Sequence, residues 1–431
     1  MQAGGAVASA RAWTRSPWLV PALFVFVQVV VQFFHRAPIG LTVENDFPVH
    51  AAHAATWRDV FTFHGLYPLG HALVLRLFSL LTGDPFLAAK AIAVLAAGLS
   101  LRVAHGLVRD VASAGAAFAG QAYLALNWYF HETALLVGTD QLASLLALLA
   151  IRSLASSLRS ADRRRALAGG LWAGAAALVR QTSLVLLPAY LLAAAWQGRR
   201  DRRRLSGAWL AALCLAGCLV AAAPQMWIAW RATGDPFHQS QARNVRFGMQ
   251  GDMDWSGFAA GDEPSLVEIV RREPGPFFAH WARETLQGGV RIAAMTASVF
   301  PPFLGRRIGG AVPLIYLGLT GAALLATLAA LRAQRLRELA ARVTPPDGAA
   351  MFLILLVVGW IAGVGLAFAT ARFLLTPWIL CALAAVAVWR DLWRPEPGTG
   401  DRRATIARYT WIVVLACHTA GAIYFTLRLP V

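Results

Sequence analysis

An all-α polytopic membrane protein is the fold the sequence predicts, and three observations predict it. The 431 residues are 58% hydrophobic and only 14% charged, against about 45–50% apolar content in ordinary soluble domains. Long apolar runs recur about every 25–35 residues, each near the ~20 residues that cross a bilayer. Arginines cluster between those runs rather than inside them, as orientation rules require.

The elements follow in order. Residues 18–35 come after Arg11 and Arg15; the stretch is too long for a cleavable leader and lacks a small-residue exit, so it reads as a retained first span. A polar segment over 36–85 follows. Within it, 66–82 is apolar and amphipathic, interrupted by His71 and Arg76, which suits an interfacial helix rather than a span. Apolar runs then predict spans at 86–108, 112–130 and 133–157. The stretch 166–197 reads as two short spans, 166–181 and 183–197, or as one long span around Arg180. A span at 205–230 precedes a second long polar segment, 231–307. Spans at 308–331, 350–370, 373–389 and 409–426 complete the set, with a Pro/Gly linker over 391–404. About eleven spans thus form a single integral-membrane domain over 1–431, with two long loops that contain interfacial helices.

Charge supplies the orientation. The net charge is +17, and Lys90 is the only lysine. Nucleic-acid binding is excluded because the arginines sit between spans and form no basic stripe. With the N-terminus inside, the clusters at 159–165, 199–204, 332–342 and 390–408 all fall inside, while nearly two thirds of the carboxylates fall outside. The predicted location is therefore a bacterial inner (plasma) membrane, N-terminus cytoplasmic. The first outer loop, 36–85, and the second, 231–307, are then extracytoplasmic, and long loops in compact proteins usually carry function. The four cysteines, Cys214, Cys218, Cys381 and Cys417, all lie in predicted spans, which argues against a disulfide framework.

The chemistry-bearing residues gather in those loops. Glu44-Asn45-Asp46 opens the first, and Pro48 suits the first turn of a helix. Asp46, His50, His53 and Trp57 then fall at i, i+4, i+7 and i+11 of one helical face. Asp46 can act as a general base, or it can simply cap the helix. His50-x-x-His53 beside Asp46 offers ligands for a divalent metal, but no second cluster completes such a site, and no cofactor is predicted. Eight of the ten histidines (His35, His50, His53, His64, His71, His131, His238, His280) fall on the outer side. His131-Glu132 and Thr139-Asp140 stand at the outer end of the 133–157 span. A carboxylate there is costly and usually functional, or else a favourable acid near a helix start. Arg180, between two spans, suits a lipid phosphate by bidentate geometry, or it snorkels. Arg243 and Arg246 lie three apart and can share a helix face toward phosphate, or line a solvated loop. Trp255, Phe258, Phe277, Phe278 and Trp281 can stack on sugars; seating in headgroups is the favoured reading. Arg372-Phe373-Leu374-Leu375-Thr376-Pro377 follows the ninth span.

These segments, in this order, resemble the type-C integral-membrane glycosyltransferases. They are a first span, the acidic opening at Glu44 and Asp46, Gly65-Leu66-Tyr67-Pro68-Leu69, the small-residue run Gly169-Gly170-Leu171-Trp172-Ala173-Gly174 before Arg180-Gln181-Thr182, and Arg372 to Pro377. The likeness is to polyprenyl-phosphate-sugar-dependent members of the protein mannosyltransferase and aminoarabinose transferase kind. Thr139-Asp140 with Arg180-Gln181-Thr182 adds a local likeness to the dolichyl-phosphate-glucose α-1,2-glucosyltransferases. The resemblance implies inverting transfer of a sugar from a polyprenyl-phosphate donor to an extracytoplasmic lipid, glycan or protein acceptor. It implies Asp46 as the base, with Glu44 as the alternative, since Asn45 separates acids that are often adjacent in the family. Arg180, Arg372, Arg246 and Arg243 would hold the donor phosphate. His50, His53, His64, Tyr67, Asp140 and Glu132 would line the sugar and acceptor pocket. The alternative function is a transporter or flippase of lipid-linked saccharides. That would call for inverted repeats and polar mid-span groups, whereas only Arg102, His105 and Arg152 interrupt the spans.

Overall fold

The computed structural model describes residues 16–34, 46–201, 204–250, 265–297, 347–367 and 371–392. Every regular element among them is helical. The first helix, α1, spans Leu19–Phe34. Short helices α2 (Asp46–His53) and α3 (Trp57–Val60) precede α4 (Leu69–Thr82). The long helix α5 (Pro85–Arg109) leads to α6 (Ala114–Leu126) and the short α7 (Trp128–Leu135). Helices α8 (Asp140–Ser160) and α9 (Arg163–Val179) follow, then a 3-10 turn over Gln181–Val185, α10 (Leu186–Arg200) and α11 (Arg204–Thr233). Among the described residues, α12 (Ala242–Gln250), α13 (Leu266–Arg272) and α14 (Pro274–Ala297) come between α11 and α15 (Gly348–Gly365). A 3-10 turn over Ala371–Leu374 opens α16 (Leu375–Leu392).

Among the described residues, four helices are long and apolar enough to cross a bilayer: Pro85–Arg109, Asp140–Ser160, Leu205–Thr233 and Gly348–Gly365. Leu19–Val31, Leu69–Thr82, Ala114–Leu126 and Arg372–Ala387 are apolar but shorter. The expected spans at 308–331 and 409–426 lie outside the described residues. Helix α5 is central. It packs on α1, α4, α6 and α8, and α9 packs between α8 and α11. The α9–α11 contact is glycine-built: a Cβ at Gly174 would lie 2.6 Å from the Cys218 carbonyl oxygen. Such close backbone approach through small residues is how apolar helices associate where the hydrophobic effect offers little. Cys214 and Cys218 are buried in this seam with free thiols.

Local chemistry corrects two expectations. The 112–130 and 133–157 spans are interrupted: Asn127 stops α6 and caps α7, its side chain accepting from the Tyr129 amide at 2.9 Å, and α8 starts only at Asp140. Glu132 therefore sits on a separate short helix, not at the mouth of a span. The face shared by Asp46, His50, His53 and Trp57 is broken as well. Helix α2 ends at His53, and Thr56 caps a new turn at Trp57, accepting from the Asp59 amide at 3.2 Å. Arg76 then holds that turn by donating to the Ala55 carbonyl at 2.7 Å. The stretch 66–82, read as an amphipathic helix that does not span, forms α4, which is apolar but short: Leu69, Gly70, His71, Ala72 and Leu75 are buried, while Leu77, Leu80 and Leu81 are exposed.

Two ends of the bundle differ in charge. At one end Arg152 pairs with Asp110 at 2.9 Å, Arg165 pairs with Asp162 at 3.3 Å, and Arg102 stacks over Trp18 at 5.4 Å. Arg102 and Arg152 thus belong to the arginine-rich end rather than to mid-span. The opposite end gathers α2–α4, α7, the start of α8, the end of α9 and the Ala371–Leu374 turn.

Candidate active site

The opposite end is built around a break in helix geometry. Arg180 ends α9 in an extended conformation (φ −152°, ψ 119°), its amide still bonded to the Ala176 carbonyl at 2.8 Å. That kink sends its guanidinium across to Asp140, the first residue of α8, with which it forms an ion pair. Each charge also complements a helix dipole, the cation at the C-terminus of α9 and the anion at the N-terminus of α8. The Asp140 side chain is 3% exposed and that of Arg180 14%. Two residues expected to serve donor and pocket separately are therefore one buried unit.

Phe373 lies on the other side of Arg180, its ring centroid 4.4 Å from the guanidinium carbon, and Arg372 lies 5.0 Å from the same ring. Trp360 of α15 donates to the Phe373 carbonyl at 3.1 Å, and Thr376 bonds Ser144 of α8 at 2.9 Å. The Arg-Phe turn is thus fixed from two helices, and two cations share one aromatic face.

Histidines pack against this pair. His50 meets His71 at a ring-centroid distance of 4.7 Å and Tyr67 at 4.8 Å. Tyr67 meets His64 at 4.9 Å, and His64 meets His53 at 5.7 Å. Burial first, then the neighbouring charges of His71, His53 and Arg180, hold His50 well below the usual imidazole range. His71, on a helix too short to span, is pushed down to about 4 by burial and then by Arg180. Burial also lowers His53 and His64. All four are therefore neutral near pH 7. His64 accepts the Leu66 and Tyr67 amides at Nδ1, at 3.3 and 3.2 Å, which leaves its proton on Nε2.

Several buried polar atoms here find no hydrogen-bond partner within the protein: both ring nitrogens of His71, Gln181 Oε1, Thr182 Oγ1 and Ser183 Oγ. Each such group costs on the order of 1–3 kcal/mol unless water or a ligand satisfies it. Glu132 stands on α7, where burial raises its carboxyl to about 7. Its neighbour His131 is tied to Gln28 of α1 at 2.6 Å.

The second polar segment reaches the same end. The Ser240 amide bonds the Gly65 carbonyl at 3.1 Å, and Gln241 donates to the Leu66 carbonyl at 2.9 Å. Gln225 of α11 accepts the Leu69 amide at 3.0 Å. These clamps hold the turn that carries His64 and Tyr67, and they set α12 beside it. Arg243 is half-buried on α12 and Arg246 is exposed. Trp281 donates to the Ala362 carbonyl at 2.8 Å, and Phe277 is buried beside Val245 and Ile269, so both serve helix packing rather than headgroup seating. Trp255 and Phe258 lie outside the described residues, as does Glu44. Asp46 opens α2 one helical turn before His50; its side chain is outside the description. Among the described residues, no group of three His, Cys, Asp or Glu side chains is arranged to hold a metal ion.

His71 and Phe373 are the site residues that sequence reasoning did not select. A lone histidine in an apolar 14-residue helix was the available signal for the first. Nothing in the sequence distinguished Phe373 from other span-edge aromatics.

A family model described as dolichyl-phosphate-mannose-protein mannosyltransferase matches residues 67–230. The matched stretch runs from Tyr67 into α11 and takes in His71, Glu132, Asp140 and Arg180. The match is a likeness to that mannosyltransferase family over this segment of the chain. No individual curated protein matches the chain.

Proposed function

We propose, from the likeness to that mannosyltransferase family over the matched segment, that this protein transfers a sugar from a polyprenyl-phosphate donor to a hydroxyl acceptor at the histidine-bearing end of the bundle, with inversion at the anomeric carbon. The observation that carries this reading is the collection of protein-unsatisfied polar atoms around the Arg180–Asp140 pair, beside the helix that Asp46 opens. A polar ligand with a charged group is what such a place accommodates.

In this reading Asp46 takes the acceptor's proton. The acceptor oxygen bonds the anomeric carbon as the bond to phosphate breaks, and the electron pair leaves with the phosphate. Arg372 and Arg180 stabilise the departing phosphate, and a buried setting strengthens each contact relative to water. Arg243 and Arg246 assist from α12. Asp140 keeps Arg180 in place, so its contribution is positional. His64, with its proton on Nε2, donates to a sugar or acceptor hydroxyl, and Tyr67, His50, His53 and Glu132 line the pocket. The arginine-rich end faces the cytoplasm and the reaction end faces away from it, by the same asymmetry that orients membrane helices generally. Arg102 and Arg152 lie at the end remote from this site, which supports surface chemistry over a through-membrane path.

The test uses purified protein, a panel of labelled polyprenyl-phosphate sugars and cell-envelope acceptors. Wild type transfers label, and Asp46→Asn reduces the rate by about 100-fold or more, the usual worth of a general base. Equal rates in both would remove Asp46 from the mechanism, and absence of transfer across the panel would refute the enzyme reading.

A further inference from the structure

The donor is a phosphodiester with one negative charge, and the product is a phosphate monoester with close to two near neutral pH. Transfer therefore creates one extra negative charge on the phosphate and one proton from the acceptor hydroxyl. In a buried setting that new charge is costly unless a cation appears beside it. Arg180 carries the Asp140 carboxylate as well, so it offsets the new charge only in part.

The geometry points to the His50–His71 pair as the place where the acceptor's proton is held while the product phosphate remains bound. The inference rests on the proposed function and deepens it. The two rings are 4.7 Å apart, on α2 and α4. Both nitrogens of His71 lack a partner within the protein, and the residue is 1% exposed, so it has a lone pair to take a proton and no competing bond to lose. His64 is unsuited to the task, because two amides already occupy its Nδ1. Packing explains why the pair is neutral beforehand. The groups facing it are His53 of α2, Tyr67 and His64 of the turn, Arg180 of α9, and Asp140 of α8 paired to that arginine. Burial and the Arg180 charge oppose protonation until a phosphate dianion arrives to offset them.

The balance is complete without any co-reactant. The acceptor O–H breaks, the acceptor O–C1 bond forms, and the C1–O–P bond breaks with its electrons on phosphate. The proton passes from the base to the imidazole pair, so the base is reset before the product leaves.

Calorimetry tests this. A polyprenyl monophosphate is titrated into the full-length protein at pH 7.5 in two buffers of different ionisation enthalpy, and the difference counts protons. Wild type should take up about one proton per monoester bound, and none with a methyl diester of the same chain. His71→Gln and His50→Asn/His71→Gln should keep the helical content and thermal midpoint of wild type, which reports that they fold, and should lose at least half of the proton uptake per monoester bound. Monoester binding by wild type without proton uptake overturns the inference and leaves the proposed function standing. Undiminished uptake in the double variant, or its loss in Glu132→Gln alone, overturns it equally. Failure of wild type to bind either ester overturns the proposed function together with it.

Discussion

Neutralising Asp140 is the sharpest test of how this site is held together. Asp140→Asn preserves shape while removing the carboxylate that pairs with Arg180. Two unit charges near 4 Å attract by about 4 kcal/mol at an effective dielectric of 20. Solvent screening subtracts little, since the two side chains are 3% and 14% exposed. The stranded guanidinium keeps its stacking on Phe373, worth about 0.5–2 kcal/mol. Breaking one side of a buried pair costs about 3–5 kcal/mol in general, so Asp140→Asn and Arg180→Gln should each destabilise by roughly 3 kcal/mol. The double variant Asp140→Asn/Arg180→Gln should lose much less than the sum, because no buried charge is left alone. The assay is a double-mutant cycle of unfolding free energies in mixed micelles. A single-variant loss below about 1 kcal/mol, the value of an exposed pair, would refute the reasoning, as would additivity in the double variant.

Two further outcomes follow from packing and burial. Gly70→Ala places a Cβ 2.6 Å from the Leu178 carbonyl oxygen, where backbone cannot yield, so α4 should be pushed from α9 at about 1–3 kcal/mol; a lowered thermal midpoint with reduced donor binding checks this, and an unchanged protein would contradict the close α4–α9 approach. Glu132 is raised from 4.5 to about 7 by burial: between those values the unfolded chain ionises and the folded one does not, so stability should fall as pH rises through that window, by roughly 3 kcal/mol in full. Glu132→Gln should flatten the dependence, and an identical pH–stability curve would show that the carboxyl is not desolvated.

Much of the architecture is legible in residue order. The apolar run at 86–108 becomes Pro85–Arg109, because Asp84 caps it with a side-chain bond to the Phe86 amide at 2.7 Å and Arg109 ends it. Arg180 divides 166–197 as its charge suggests. The break at 127–139 was hidden because Asn127 and Gly138 are single residues within apolar surroundings, and a hydropathy window averages them away. The break after His53 was hidden because Thr56 is an ordinary cap that competes with a continuing helical pattern only once α4 supplies Arg76 to the Ala55 carbonyl.

Length, hydropathy and arginine placement by themselves determine that this chain is a helical membrane protein with polar segments between its helices, since a span must satisfy its own backbone and exceed the apolar thickness it crosses. They do not determine which helix is interior. Pro85–Arg109 is mostly buried and Leu205–Thr233 mostly exposed, yet both read as similar apolar runs, because lipid and protein interior favour the same side chains. Only the tertiary structure brings Asp140 to Arg180, Phe373 beneath that guanidinium and His71 against His50. Those pairings depend on the angles and glycine-lined contacts between helices, which a one-dimensional pattern of polar and apolar residues does not encode.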